Sequence, residues 1–396
     1  MKLLYLADIR FPMERANGIQ TAATAHALAS RDARVELVVR RSDARSDEAC
    51  LAFFDLAPHP NLRLRRVPTP IGRFSYLFAS LGLLARRHWD VVYTRDLLLA
   101  DLAIRLGRVP CVVYEAHNVA AVFAEEKAGL YAESSPPSPA KLLRIDARER
   151  RVCRRAHGLV TITKGLRDAL AERHGRLPPT AIVPDGCRVP DQIPDFCRHV
   201  PPRVGYIGQL YPWKGVDVLI EAMQSVPRAE AVVVGGLRGE PDLDRVKEMA
   251  ARLAISDRVL FTGFLPPHEL SEQRERADVF VIPLLDSTTA RRFTSPLKLF
   301  EAMAAGRPIV ASDLPSIREV LVHEENALLV PPGDARALAS AIDRLLVDDS
   351  LSVRLAERAG KDVRAYSWDR RAENILTFLE RARSRELARL APTTAD

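Results

Sequence analysis

Short β-branched runs alternate with helix-period stretches from one end of the chain to the other. A first series reads KLLYLA, RVELVV, LRLRRV, DVVYTR, CVVYEA, GLVTIT and AIVPDG; a second reads RVGYIG, EAVVVGG, RVLFTGF, DVFVIP, PIVAS and ALLVPP. Runs that are apolar throughout fit strands buried on both faces, and the amphipathic stretches between them predict parallel sheets covered by helices on each side. Between the series, VPDQIPDFCRHVPPR (189–203) is proline-rich and reads as a linker. A last helical stretch, WDRRAENILTFLERARSRELARL, has no strand after it and is expected to pack back across the two lobes. The sequence has no short internal repeat, and its most biased stretch is the Pro/Ser-rich loop ESSPPSPA (133–140).

Composition sharpens this picture. A chain of 396 residues exceeds one ordinary core, so two domains are expected, and 47% apolar with 28% charged residues fits a globular chain. Five cysteines without a C-x-x-C pair predict reduced thiols in a cytosolic setting. The opening MKLLYLADIR has too short an apolar run for a signal peptide. FSYLFASLGLLA (74–85) is about half of the ~20 residues a membrane span requires. The net charge of +7 is spread along the chain with no aromatic-interleaved basic patch, which argues against a nucleic-acid partner. Of the 58 basic residues 8 are lysines, leaving 50 arginines, so the few lysines merit individual inspection.

Open parallel sheets bind ligands beyond the carboxyl ends of their strands. Several unusual residues collect there. After the first strand Asn17-Gly18 leads into a helix, where a glycine admits close approach and a helix N-terminus attracts an anion; the alternative is a plain loop glycine. After CVVYEA come His117 and Asn118, and the ring could be structural or functional. In VGYIGQLYPWKGVDVLIEAM (204–223), Gly208, Gln209 and Lys214 fall between a strand and a helix entrance, a setting that suits a phosphate; a solvated loop lysine is the alternative. In FTSPLKLFEAMAAGRPIVAS (293–312) Thr294 or Ser295 is expected to cap a helix, with Pro296 at its first position and Gly306 at its end. Leu297 and Lys298 would then lie at the helix tip and Glu301 one turn on. An anion at the tip and a diol on the carboxylate describe a nucleoside diphosphate, whereas the alternative is a surface Lys298–Glu301 pair. Asp242 and Asp244 spell D-x-D, but at a helix start, where aspartate serves the first turn; no metal site is expected there, in HEEN (323–326) or among the cysteines.

Taken in order and spacing, these stretches resemble the retaining glycosyltransferases of the GT-B fold, family 4. The resemblance runs through the Asn17-Gly18 turn, YEAHN, VPDG, GQLYPWKGVDVLIEA, VLFTGFLPPHEL, ADVFVIP, SPLKLFEAMAAGRPIVAS and YSWDRRAENIL. It implies an α/β protein of two Rossmann-like doubly wound domains facing across a cleft. The first, 1–195, would be the acceptor side, completed by a C-terminal helix at 368–396. The second, 203–367, would bind the nucleotide sugar.

The same resemblance implies roles. Gly18, after Asn17, would lie against the phosphates of the sugar donor, and Lys214 would neutralise the diphosphate leaving group. Backbone near Leu265 would meet the base and Glu301 the ribose. His117 would sit near the transferred sugar, so that His117, Lys214 and Glu301 carry the catalytic expectation. Gly208 and Gln209, and Thr294, Ser295, Pro296, Leu297 and Lys298, would complete the contacts. Gln209 stands where an arginine often precedes the lysine, and Thr294 where the first acid of an E-x7-E pattern is usual. The implied activity is transfer from a nucleoside-diphosphate sugar to an acceptor hydroxyl of a glycan, lipid-linked saccharide or small molecule. No metal or other cofactor is expected, and the setting would be cytoplasmic glycoconjugate or polysaccharide synthesis. An epimerase or hydrolase of the nucleotide sugar, or a non-catalytic binding protein, are the rival readings. IGRFSYLFASLGLLARRHWD (71–90), an apolar body flanked by Arg73, Arg86 and Arg87, reads either as a helix facing its own sheet or as one docking on anionic lipid at the inner face of a membrane.

Overall fold

The computed structural model describes residues 1–86, 88–131, 135–236 and 241–390, without the side chains of His268, Ser271, Glu272 and Leu390. Arg87, the start of the 133–140 loop and residues 391–396 of the closing segment lie outside the described residues.

The chain divides into two compact units. The first comprises Met1–Glu125, Pro136–Asp185 and Trp368–Asp396; the second comprises Glu126–Ser135 and Gly186–Ser367. In chain order the first contains β1 (Lys2–Phe11), α1 (Ala16–Ala29), β2 (Arg34–Arg41), α2 (Asp47–Ala52), β3 (Leu62–Val67), α3 (Arg73–Leu84), β4 (Val91–Thr94), α4 (Leu97–Leu106) and β5 (Val112–Ala116). It continues through α5 (Ala120–Leu130), inside which the unit boundary falls, to α6 (Pro139–Arg155), β6 (Gly158–Thr161), α7 (Lys164–His174) and β7 (Thr180–Ile182).

The second unit contains β8 (Arg203–Ile207), α8 (Val216–Met223), β9 (Glu230–Val234), α9 (Pro241–Arg252), β10 (Val259–Gly263), α10 (Leu270–Glu275), β11 (Val279–Ile282), α11 (Thr288–Arg292) and α12 (Leu297–Ala304). After these come β12 (Ile309–Ser312), α13 (Pro315–Arg318), β13 (Leu328–Val330), α14 (Ala335–Val347) and α15 (Asp349–Asp362), and the chain closes on α16 (Trp368–Leu390) in the first unit.

Each apolar run of the sequence is a strand. The first sheet has the order β3-β2-β1-β4-β5-β6-β7 and the second β10-β9-β8-β11-β12-β13, and their strand pairs are parallel. β4, β5, β6, β11 and β12 are buried along their whole length, as two-sided cover demands. In both sheets the order reverses beside the first strand, between β1 and β4 and between β8 and β11. Such a reversal opens a crevice at the carboxyl edge, where doubly wound sheets take ligands.

The core of the second unit is built from Val204, Tyr206, Leu219, Val233, Val281 and Val310 with Leu338 and Ile342 of α14. In the first unit α16 lies on α1 and contributes Ala372, Ile375 and Leu379 to the core under β1. The proline-rich segment before β8 carries no helix or strand but is tied to the second unit. Arg198 reaches Asp349 Oδ1 at 2.8 Å, and buried Asp278 accepts from the amides of His199 (2.8 Å) and Arg203 (2.6 Å).

Candidate active site

In the second unit the residues singled out from the sequence gather at the β8/β11 reversal. β8 ends at Ile207, and Gly208 turns the chain away from the sheet. A methyl group at Gly208 would stand 3.6 Å from Lys298 Cδ and 3.7 Å from its Nζ, so this turn and the tip of α12 are in contact. Gln209 presents its carbonyl to the Tyr206 hydroxyl at 2.6 Å. Lys214 ends a short turn, and Gly215 follows with φ +71°; a Cβ there would fall 1.7 Å from the Pro283 carbonyl oxygen, so only glycine lets α8 start against the strand β11 leads out of. Leu265 lies in the loop after β10, partly buried.

Both lysines have buried ammonium groups. Lys214 Nζ lies 3.6 Å from the centre of the Trp213 ring, and Lys298 Nζ 4.0 Å from that of Tyr206. Lys298 Nζ has no hydrogen-bond partner among the described residues. Burial pulls the Lys214 ammonium down to about 7. Burial and then the neighbouring charge of Lys214 push Lys298 well below the ordinary lysine range. Two lysine amines crowded together out of water, both held below the ordinary lysine range, form a site where a bound anion would favour their charged forms.

The helix that carries Lys298 differs from expectation at its start. α12 begins at Leu297, with Pro296 itself in the capping position and no side-chain cap. Thr294 is buried and donates its hydroxyl to the Thr289 carbonyl at 2.8 Å, securing the end of α11. Thr294 therefore does not cap α12, and Pro296 stands one position earlier than expected. As the first two residues of the helix, Leu297 and Lys298 have amides without an intrahelical partner. The end is as expected: Gly306 follows the last turn with φ +65°. Leu297, Phe300 and Met303 form the buried side of the helix.

Glu301 is engaged by a residue that sequence reading did not single out. Arg274 of α10 places Nη2 3.0 Å from Glu301 Oε1, both side chains being about one-fifth exposed. Arg274, Lys298 and Glu301 line one small cavity against Ile207 and Phe280. The alternative pairing of a surface helix, Lys298 with Glu301, does not form: Glu301 meets Arg274, and Lys298 Nζ has no hydrogen-bond partner among the described residues. Asp242 of the D-x-D spelling pairs instead with Arg245 at 3.3 Å. No cluster of three or more metal-ligating side chains forms among the described residues.

In the first unit the candidates lie at the carboxyl ends of β1 and β5. Asn17 and Gly18 fall inside the first turn of α1, which begins at Ala16. A Cβ on Gly18 would sit 2.8 Å from the Met13 carbonyl oxygen, so the chain's own loop already requires this glycine. His117 places Nε2 2.8 Å from Glu115 Oε1. Glu115, fully buried on β5, is the hub of this edge: it also accepts from Gln20 Nε2 at 2.8 Å, from the Tyr93 hydroxyl and from Arg371 of α16. Its signal in the sequence is one acid in an otherwise apolar strand, which is rare unless paired. Arg371, one among 50 arginines, carries no such signal.

Two parallel-sheet units of 3-2-1-4-5 order, each with its polar residues at the reversal, define a GT-B protein. A sucrose-phosphate synthase from Thermosynechococcus elongatus has this fold, with a TM-score of 0.79, 20% identity and coverage of 97% of this chain and 100% of that one. Residues 18–186 match the family described as glycosyl transferase 4-like domain, and residues 201–348 that described as glycosyl transferases group 1. The chain belongs to the group 1 glycosyltransferases. A D-inositol 3-phosphate glycosyltransferase of Xylanimonas cellulosilytica is 32% identical over 190 residues, 48% of this chain and 44% of that protein. Another, of Stackebrandtia nassauensis, is 26% identical over 384 residues, 89% and 84% respectively. Three of the relatives are matched over only 44%, 43% and 40% of their own length.

Proposed function

We propose that this protein transfers a sugar from a nucleoside-diphosphate sugar to an acceptor hydroxyl with retention of anomeric configuration and without a metal ion. The observation that carries the reading is the buried, unpartnered Lys298 ammonium beside Lys214 at the tip of α12. A diphosphate is the anion that would satisfy two cations and the opening amides of a helix together.

In this reading the bond from the sugar's anomeric carbon to the diphosphate breaks while the acceptor oxygen bonds to that carbon on the same face. The acceptor's proton goes to the departing diphosphate. Lys214 and Lys298 meet charge that grows during this step, and preorganised charge of that kind supplies a large share of catalysis. Glu301, oriented by Arg274, would accept hydrogen bonds from the ribose diol, since a carboxylate with one oxygen engaged retains acceptor sites. Gly208 and Gln209 would border the phosphates, and Leu265 would offer backbone to the base. From the first unit, His117 would meet the transferred sugar, with Asn17 and Gly18 serving the phosphates. Thr294 is proposed as structural, with Pro296 opening the helix and the backbone amides of Ser295, Leu297 and Lys298 holding the sugar and phosphates.

The acceptor is proposed to be a saccharide, a lipid-linked saccharide or a small molecule, and the setting the cytoplasm. No helix among the described residues is long and apolar enough to cross a membrane. Peripheral contact is proposed through α3, which rests on its sheet by Tyr76, Leu83 and Leu84 while Phe74 and Phe78, 65% and 66% exposed, point outward beside exposed Ile71.

The test is turnover of UDP-, GDP- and ADP-sugars by the full chain in the presence of EDTA, with an acceptor panel and the product anomer read by NMR. A glycoside of unchanged configuration is predicted, with kcat lowered by roughly 10²-fold or more in a folded Lys214→Ala variant. Acceptor-independent release of nucleotide, inverted product or an unaffected Lys214→Ala variant contradicts the reading.

A further inference from the structure

The buried polar cluster at the end of β5 does more than fill space. Glu115 receives four donors on two oxygens: Gln20 Nε2 and His117 Nε2, each at 2.8 Å, with Arg371 on Oε1, and Tyr93 on Oε2. Arg371, 2% exposed, comes from α16 and is itself fixed by the carbonyls of Val183 and Pro184, both at 2.6 Å, and by Thr24 Oγ1 at 3.2 Å. The guanidinium cannot swing away without stranding these acceptors in the interior.

We propose that Arg371 and Glu115 are positioning residues for His117: Arg371 holds the Glu115 carboxylate as a pure acceptor, and Glu115 thereby fixes His117 as the Nε2–H tautomer with Nδ1 as its acceptor face. An ionised carboxylate accepts only, so the His117 nitrogen that touches it must carry the proton. In a neutral ring the lone pair then resides on Nδ1, ready for a hydroxyl hydrogen of a bound sugar.

The charges around the ring agree. The groups that face His117 are Glu115, Arg95 and Asp185, while Arg371, Tyr5 and Tyr93 face Glu115. Burial would raise the Glu115 carboxyl, but Arg371, then His117 and Arg95, outweigh it and hold the group well below the usual carboxylate range. Burial, followed by Arg95, lowers His117, so its ring is neutral at pH 7. Arg95 is itself held by Gln20 Oε1 at 2.6 Å. Removal of the Arg371 charge lets the Glu115–His117 pair take up a proton. Whether that proton sits on the ring or on Glu115, which would then donate to Nε2, Nδ1 ceases to accept.

This rests on the reading of His117 as a sugar contact, and the experiment separates the two. Ring-15N-histidine spectra of the full chain, with His117 assigned by its missing signal in His117→Gln, report the tautomer without any turnover. The wild type should show Nε2–H on a neutral ring at pH 7, and Arg371→Lys, which keeps the cation, should match it. Arg371→Met should gain a proton at the pair between about pH 6 and 8. Its kcat/KM should drop at least about tenfold near pH 6.5 and recover to within about threefold near pH 8.5, because a group is about nine-tenths protonated one pH unit below its pKa. An Nδ1–H tautomer in the wild type, or an unchanged His117 titration in Arg371→Met, overturns the proposal. The wild-type spectrum involves no substitution, so it decides even where a variant fails to fold. Normal transfer by His117→Ala, with the Nε2–H tautomer present, refutes the sugar contact and leaves the positioning intact.

Discussion

Arg274 Nη2 and Glu301 Oε1 stand 3.0 Å apart, joining α10 to the middle of α12. The pair fixes the carboxylate that would meet the ribose, so loss of Arg274 should loosen ground-state binding of the sugar donor more than it slows the chemical step. Arg274→Ala is expected to raise the KM for the nucleotide sugar about tenfold with kcat changed by less than about threefold. Steady-state kinetics at saturating acceptor check this; a loss confined to kcat contradicts it.

Thr294 and Glu301 separate structural from binding roles on one short segment. The Thr294 hydroxyl is spent on the Thr289 carbonyl. Thr294→Ala should cost about 1 kcal/mol of stability, the usual net worth of one such bond, and leave most of the activity. Glu301→Ala should abolish measurable transfer in a folded protein. Equal losses of activity at equal foldedness would make Thr294 a sugar-contacting residue.

Lys298 illustrates stability given up for binding. A lysine held out of water beside a second one, its charged form disfavoured, destabilises the ligand-free protein. Lys298→Met keeps the length of the side chain and removes the charge. Its melting temperature without ligand is expected to rise by a few degrees, roughly what relief of 1 kcal/mol or more brings, while stabilisation by a nucleoside diphosphate disappears. A lowered melting temperature with ligand stabilisation retained would count against the assignment.

How far the sequence carried the reading can be judged from particular residues. The strands were legible because parallel strands buried on both faces are apolar without interruption, and Lys214 and Lys298 stood out because lysine is scarce here. The start of α12 departs from expectation at two residues: Thr294 is turned inward by a carbonyl on α11, and Pro296 stands in the capping position. Gly18 reads as a ligand approach, and the structure adds a second demand on it, since a Cβ there would meet the Met13 carbonyl. Arg274 and Arg371 were invisible, since their meaning lies in partners distant along the chain; Arg371 and Glu115 are 256 residues apart. Long-range polar pairing leaves no periodicity to find.

The proposed membrane contact of α3 rests on Phe74 and Phe78, one turn apart and both exposed. The nearby Arg73 is paired with Asp8 and Asp96, so the apolar residues should dominate over charge. Full-length protein is expected to float with liposomes containing anionic lipid, and Phe74→Ser combined with Phe78→Ser should remove it. Absence of wild-type flotation at low salt rejects the contact.

The anion site at the tip of α12 is the centre of the account, and calorimetric titration of the full chain with UDP, GDP and ADP measures it most directly. Burial holds Lys214 at about 7. A bound diphosphate favours its charged form, so binding above pH 7 takes up a proton and weakens as pH rises. One of the three nucleotides should bind, with proton uptake near pH 8, affinity falling from pH 7 to pH 9, and a loss of at least about tenfold in Lys214→Ala. Failure of all three to bind, or affinity in Lys214→Ala equal to that of the wild type with no proton uptake, would contradict it.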